Sequence, residues 1–370
     1  MEATEWYTIN NVDELDTPAL VVYPDRVKYN INLVKTMIDD VSRLRPHVKT
    51  HKSIDVTHLM LNAGVTKFKC ATIAEAEMLG MAAAPDVLLA YQPTGPKLKR
   101  FVQLIKAYPQ TKFSCLLDNE TIAKAISAEA VQNNITIPVY IDLNIGMNRT
   151  GILPADALQL YVNCLSLPAI NMIGLHAYDG HIHDSDYTVR QKRSEESMAP
   201  VFKLIDDITA RGYPKPIIIA GGSPTYPIIA KRAGLECSPG TFVYWDKGYQ
   251  TAYPEQPFLT AALIVARVLS LPEEGKICID LGHKSVSAEN ELAKRVHFLN
   301  APELKFVSHS EEHLVADAGK DHNYKVGDIL YGLPYHICPS VALYDRAITI
   351  ENKLVTGEWK TIARDRKITI

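Results

Sequence analysis

From about residue 44 to residue 245 the chain alternates short apolar runs with longer amphipathic ones. The short runs are Pro46–Lys49, Lys67–Ala71, Val87–Tyr91, Phe113–Leu117, Pro138–Leu143, Met172–His176, Pro216–Ala220 and Thr241–Tyr244. Most are rich in Val, Ile, Leu or aromatic residues and lack strict polar alternation, as strands covered on both faces do. Between them, Ile73–Ala82, Lys97–Ala107, Glu120–Ala128, Ala155–Cys164 and Tyr187–Arg211 carry helical patterns. Eight strands with helices between them predict an α/β fold, a (β/α)8 TIM barrel over residues 25–250. A doubly wound open sheet fits eight such units less well.

A further run, Ala19–Val22, also reads as a strand. Pro24 then opens a helix whose apolar residues Val27, Ile31, Val34, Ile38 and Val41 recur four and three apart. A closed eight-stranded barrel has no place for a ninth strand, so Ala19–Val22 is expected in another sheet. After residue 255 the pattern turns to strands: Leu263–Leu269, Ile277–Asp280, Lys305–His309, His313–Ala316, Asp328–Tyr331 and Ala347–Ile350. Pro272-Glu273-Glu274-Gly275 and Val355-Thr356-Gly357-Glu358 read as turns between them. The expectation is a β-rich domain built from residues 1–24 and 251–370.

Composition narrows the class. A net charge of -3 argues against a nucleic-acid partner. The most apolar stretch, Phe258 to Leu269, is interrupted by Arg267 and falls short of the ~20 residues a membrane span needs. The start, MEATEWYTIN, lacks the basic and apolar segments of a secretory signal. Six cysteines in 370 residues are too few for a disulfide scaffold, so a reduced, cytoplasmic setting is expected.

In a βα barrel the chemistry gathers at the carboxyl ends of the strands. The first strand ends in Arg45-Pro46-His47-Val48-Lys49-Thr50-His51-Lys52. A lysine at a barrel mouth among other cations can form Schiff bases, although a solvated basic loop reads the same way. The fifth runs into Met147-Asn148-Arg149-Thr150-Gly151, where Arg149 can pair with an anionic oxygen or lie free on the surface. The sixth ends at His176, followed by Asp179, His181, His183 and Asp184, a group that suits a metal or an ordinary polar loop. The seventh ends in Gly221-Gly222-Ser223, small residues whose N–H groups can face a phosphate. Tyr244 and Asp246 lie near the end of the eighth.

In the β-rich domain Pro334-Tyr335-His336-Ile337-Cys338-Pro339 reads as extended, which points His336 and Cys338 the same way. Imidazole and thiolate make a zinc pair, but two ligands are half a site, and a buried cysteine beside an unrelated histidine is the plainer reading. Glu312 and His313 nearby can orient ligands or simply decorate a charged hairpin. Cys70, Cys115, Cys164, Cys237 and Cys278 sit in apolar runs and read as core.

Taken in order, these motifs resemble the fold-type III, alanine racemase-like enzymes of pyridoxal 5'-phosphate (PLP), and within them the D-threonine aldolase and D-serine dehydratase branch. The resemblance runs from Leu15-Asp16-Thr17-Pro18-Ala19-Leu20 to the His336-x-Cys338 element. It implies that Lys49 carries PLP, that Arg149 neighbours the phenolic oxygen, and that Gly221, Gly222 and Ser223 bind the phosphate with Tyr244 on the same rim. His176 falls beside the pyridine nitrogen, where the family usually has Gln or Tyr. His336 and Cys338 match a divalent-metal pair, zinc ahead of manganese. Cys at that position resembles the dehydratases, whereas Ala177-Tyr178-Asp179-Gly180 is closer to the aldolases.

The implied function is a PLP- and metal-dependent lyase on D-3-hydroxy amino acids, with Lys49, His336 and Cys338 catalytic. Aldol cleavage to glycine and an aldehyde comes first. β-Elimination from D-serine or D-3-hydroxyaspartate and amino-acid racemisation are the alternatives. Non-catalytic PLP carriers lack a second domain, so residues 255–370 count against that class. The resemblance also implies a homodimer.

Overall fold

The computed structural model describes residues 5–370; residues 1–4, which head the segment predicted to join the β-rich domain, lie outside the described residues. The chain divides into two compact units. One takes in the chain up to Asn32, Thr50–Asp55 and Thr241–Arg364; the other takes in Leu33–Lys49, Val56–Gly240 and Asp365–Ile370.

Strand β1 (Ala19–Val22) and helix α1 (Pro24–Thr36) come first, then α2 (Ile54–Asn62). The barrel follows: β2 (Lys67–Cys70), α3 (Ile73–Met81), β3 (Asp86–Leu89), α4 (Pro96–Ala107), β4 (Lys112–Leu117), α5 (Glu120–Gln132) and β5 (Ile137–Asp142). It continues through α6 (Ala157–Ser166), β6 (Ile170–Ala177), α7 (Tyr187–Ala210), β7 (Ile217–Ala220), α8 (Tyr226–Ile229) and β8 (Leu235–Cys237). Strands β2 to β8 pair in parallel in chain order. Helix α3 starts on a Thr72 N-cap: Thr72 Oγ1 accepts from Glu75 N–H at 3.0 Å, and the Glu75 carboxylate accepts from Ala71 N–H, one residue before the cap, at 2.6 Å.

The segment Leu44–His47 closes the ring. It bridges Cys237 of β8 on one side and Lys69 of β2 on the other. Arg45 N–H donates to Cys237 O at 2.8 Å and Lys69 N–H to Pro46 O at 2.9 Å. Pro46 has no N–H to give, and the chain coils into a 3-10 turn at Val48–Thr50, so this eighth stave makes only isolated bridges and lies two residues before the predicted strand Pro46–Lys49. The predicted last strand, Thr241–Tyr244, is corrected: Thr241–Val243 is a 3-10 turn, with the N–H groups of Tyr244 and Trp245 donating to Thr241 O. The strand in that role is Leu235–Cys237, whose short Leu-Glu-Cys sequence hides it.

Glu236 points into the barrel because its charge is met there. Arg45, 1% exposed, donates from Nε to Glu236 at 2.7 Å and from Nη1 to Asp86 at 2.6 Å, and Lys67 reaches the second Glu236 oxygen at 2.5 Å. Replacing Arg45 with Met takes the partner from Asp86 and leaves Glu236 with Lys67 alone, so we expect a stability loss of about 3 kcal/mol. A urea midpoint unchanged in Arg45→Met would contradict this. Above the ion network Leu88, Leu116, Tyr140 and Ile219 form a buried apolar layer. Gly174 on β6 is required by close packing: a Cβ there would lie 2.0 Å from Ile217 O on β7.

After α9 (Lys247–Ala252) come β9 (Ala262–Glu273), β10 (Lys276–Ile279), β11 (Val296–Phe298), β12 (Lys305–His309), β13 (Leu314–Asp317) and β14 (Ile329–Pro334). The short helix α10 (Ile337–Val341), β15 (Arg346–Glu351) and β16 (Leu354–Lys360) complete the series. The sheet order is β12-β13-β10-β9-β1-β15-β16, and β14 pairs with both β9 and β11. Strand β1 joins this sheet as expected, antiparallel to β9 and parallel to β15. The predicted turn Val355–Glu358 is instead part of β16: β15 pairs with it from end to end, and the reversal falls at Asn352 and Lys353, both with positive φ.

Among the described residues no helix is long and apolar enough to cross a membrane. None of the six cysteines forms a disulfide among the described residues, and Cys70, Cys115, Cys164 and Cys237 are buried.

Candidate active site

Side chains two residues apart on a strand share a face, so the inward set of each barrel strand can be followed to the carboxyl end. On β2 this brings Lys67 and then Lys69 inward; on β5, Tyr140 and then Asp142; on β6, Gly174 and then His176. Asp142 and His176 are register partners across the parallel pair. His176 Nδ1 lies 2.6 Å from Asp142 Oδ1, and the Thr150 hydroxyl donates to Asp142 Oδ2 at 2.7 Å. Burial pushes Asp142 up, but the His176 bond, Thr150 and Lys69 outweigh it and hold the carboxyl below its ordinary range. Burial, then the Lys69 charge, pushes the His176 imidazole down against the opposing pull of Asp142.

Lys69 is 4% exposed, and burial followed by the charge of Lys49 lowers its amine to about 7. Its Nζ lies 5.1 Å from the Tyr178 ring centroid, and the Arg149 guanidinium lies 5.2 Å from the same ring. Lys49 stands on the 3-10 turn after the closing stave, exposed, with its backbone N–H bound to His47 Nδ1 at 3.2 Å. Its neighbour Val48 is fully buried, which fixes the turn under a free amine.

Arg149 is carried by the loop after β5. That loop closes through Gly151, whose φ is +99° and whose Cβ would lie 2.6 Å from Asn144 N, so only glycine fits. Gly221, with φ +74°, turns the chain after β7, and Gly222 packs so near Tyr178 that a Cβ would sit 3.2 Å from its ring. Gly222 N–H donates to Thr225 Oγ1 and Gly240 N–H to Ser223 Oγ, each at 3.2 Å. Asp179 is buried beside this loop; burial raises its carboxyl to about 6, against hydrogen bonds from Thr225 and Gly222. A cavity of about 510 Å³ opens at the ends of β3 to β5, lined by Tyr91, Lys97, Asp118, Asp142, Arg149 and Thr150.

The barrel unit therefore brings together Lys49, Arg149 and His176 around Lys69 and Tyr178, with the Gly221–Ser223 loop against Tyr178. Tyr244 belongs to the other unit, where it is buried and its hydroxyl is pushed up by that burial. The histidine-rich loop does not assemble a metal site: Asp184 pairs with Arg193 at 2.6 Å, and His181 packs its ring on Gly146.

In the β-rich unit His336 and Cys338 do come together, but not along an extended strand. Strand β14 stops at Pro334, and His336 caps the short helix that holds Cys338. The two side chains are hydrogen-bonded, and Glu289 Oε1 lies 2.5 Å from His336 Nδ1. A carboxylate there fixes the ring through Nδ1 and leaves Nε2 as the nitrogen that could meet a metal. Burial works against the imidazolium, but Cys338, Glu289 and Asp246 prevail and raise it to about 9. Cys338 Sγ is 3.1 Å from Thr50 Oγ1 and 3.7 Å from Thr241 Oγ1. Asp246 accepts from Ile337 N–H at 3.0 Å and from Tyr249 N–H at 2.9 Å, tying α10 to α9.

No group of three or more His, Cys, Asp or Glu poised for a metal occurs among the described residues. The pair suits an ion whose other positions are open, since its two donors touch and one is oriented by a carboxylate.

Residues the motif reading missed are Lys69, Asp142 and Glu289, and it quoted Tyr178 and Asp179 without the places they take here. Lys69 and Asp142 had a signal, a charge inside an otherwise apolar strand at an inward position. Glu289 had none, being 47 residues from His336.

Residues 22–247 match the family described as alanine racemase, N-terminal domain. The chain belongs to that family of fold-type III PLP enzymes. Residues 261–350 match a serine dehydratase domain, so both units have family counterparts. Among curated relatives, a D-threonine aldolase from Arthrobacter is 26% identical across 95% of this chain and 93% of its own. A D-threo-3-hydroxyaspartate dehydratase from Delftia is 24% identical across 93% and 97%. The crystal structure of a D-threonine aldolase from Filomicrobium marinum superposes with a TM-score of 0.86 at 24% identity, covering 95% and 96%. The fold of this family member is thus the alanine racemase-like one.

The mouth also fits the family's cofactor on its own terms. A free amine stands over a buried turn, a guanidinium lies at the rim, and His176 Nε2 is buried without a partner.

Proposed function

We propose that the protein is a PLP- and divalent-metal-dependent lyase that cleaves D-3-hydroxy amino acids, D-threonine among them, to glycine and an aldehyde. The observation that carries the reading is Lys49: an exposed amine on a buried turn at the carboxyl end of a closed barrel, the place where barrel enzymes keep their chemistry.

Lys49 holds the cofactor covalently, Arg149 sets a permanent positive charge at its phenolic oxygen, and the Gly221–Ser223 loop receives its phosphate. When bound, PLP supplies the electron sink for a bond broken at Cα. His336 and Cys338 hold the metal, and Glu289 orients His336. A divalent ion there supplies Lewis acidity toward the β-hydroxyl. Buried Lys69, with its lowered amine, can hold or release a proton beside Lys49 near neutrality. The thiolate ligand favours zinc over manganese and supports β-elimination as the second reading. The proposal includes a homodimer in the cytoplasm, in keeping with six cysteines that form no disulfide among the described residues.

The experiment is product analysis with D-threonine, D-serine and their L-enantiomers, with PLP and zinc or manganese present. Glycine and acetaldehyde from D-threonine alone support the proposal; a 2-oxo acid and ammonia establish the elimination reading. D/L interconversion that survives a chelator would replace both with a racemase.

A further inference from the structure

His176 is 3% exposed, and its Nε2 is buried with no hydrogen-bond partner. Its other nitrogen is fully committed: Nδ1 faces Asp142 Oδ1 at 2.6 Å, and Asp142 is held in turn by Thr150 at 2.7 Å. A carboxylate can only accept, so the single ring proton sits on Nδ1 and Nε2 presents a lone pair. A second proton is opposed first by burial, then by the charges of Lys69 and Arg149; Asp142 alone favours it. The result is a rigid acceptor at the end of β6 with no donor, an arrangement that a protein keeps when a ligand supplies one.

The barrel order says which ligand atom reaches it. PLP carries its ring nitrogen opposite the carbon that is joined to lysine, with the phosphate arm on the position next to that carbon. Lys49 follows the closing stave Leu44–His47, and the Gly221–Ser223 loop follows β7, two staves back around the ring. A ring attached at the first and anchored at the second turns its nitrogen to the far wall. In an eight-stave ring the stave facing Leu44–His47 is β5, and β6 is next to it; their last inward residues are Asp142 and His176.

We infer that His176, fixed by Asp142 in its Nδ1–H form, accepts a hydrogen bond from the protonated ring nitrogen of bound PLP. This rests on the PLP reading of the same mouth. Asp142 and Thr150 are positioning residues, since they act through the imidazole. A ring held protonated is the stronger electron sink, which suits breaking a bond at Cα. A donor in the same place would instead keep the ring nitrogen unprotonated.

The test is nitrogen-15 NMR of the holoprotein loaded with ring-labelled PLP at neutral pH. A bound-cofactor signal tests the PLP reading; its chemical shift tests the inference. The expected result is a protonated ring nitrogen in the native protein. His176→Ala should move the signal to the unprotonated position with the cofactor still bound, and Asp142→Asn should move it part of the way. An unprotonated ring nitrogen in the native protein overturns the inference, and so does a protonated one that His176→Ala leaves unchanged. If His176→Ala does not fold, His176→Leu, which offers no acceptor, takes its place: a shift toward the unprotonated position supports the inference and no shift overturns it. Loss of any bound signal in the native protein overturns the PLP reading itself.

Discussion

Replacing Lys49 with alanine abolishes turnover, a loss of about 10^3-fold or more, and removes the yellow colour of the PLP-loaded protein. Stability hardly changes, because the side chain is exposed and the turn is held by buried Val48 and the bond to His47. An unchanged melting temperature with colour and activity gone is therefore the signature of a covalent anchor. Two other lysines are near in sequence or space. Lys52 directs its ammonium to Ala363 O at 3.5 Å in the β-rich unit, and Lys69 is buried on β2. Colour that persists in Lys49→Ala and vanishes in Lys69→Ala would move the anchor to β2.

Replacing His336 with alanine should lower lyase turnover by about two orders of magnitude while the PLP colour stays. The loss follows from the two-donor site: without the imidazole, Cys338 is a single ligand and the ion is not held. Cys338→Ala should behave alike. Glu289→Ala should cost less, roughly tenfold, because it removes only the group that orients His336. A chelator should reproduce the His336→Ala result in the native protein and change nothing further in the variant. Full activity in His336→Ala, or in chelated native protein, would remove the metal from the reaction.

Much of the fold was legible because β2 to β7 are short, mostly apolar runs that stand between clear helical patterns. β8 was not, since its middle residue is Glu236, a charge that makes sense only once Arg45 and Lys67 are beside it. Local pattern reads a strand by what surrounds it in sequence, and this one is stabilised by partners some 190 and 170 residues away. Strand β1 was placed correctly by counting, as one strand too many for a closed barrel. The turn predicted at Val355–Glu358 failed because an exposed edge strand such as β16 tolerates the polar and glycine residues that usually mark turns.

The site divides in the same way. Lys49, Arg149, His176 and the Gly221–Ser223 loop follow strand ends in sequence, so they could be found by looking there. The Asp142–His176 pair depends on register between parallel strands, which no spacing reveals. His336 and Cys338 were chosen for a geometry they do not have. They meet because one caps and the other enters a helical turn.

The most direct measurement is to reduce the PLP-loaded native protein with borohydride, digest it, and find the phosphopyridoxyl group by mass spectrometry. The expected result is a single modified peptide with the group on Lys49. The group on Lys52 or Lys69, or no modified lysine at all, would contradict it.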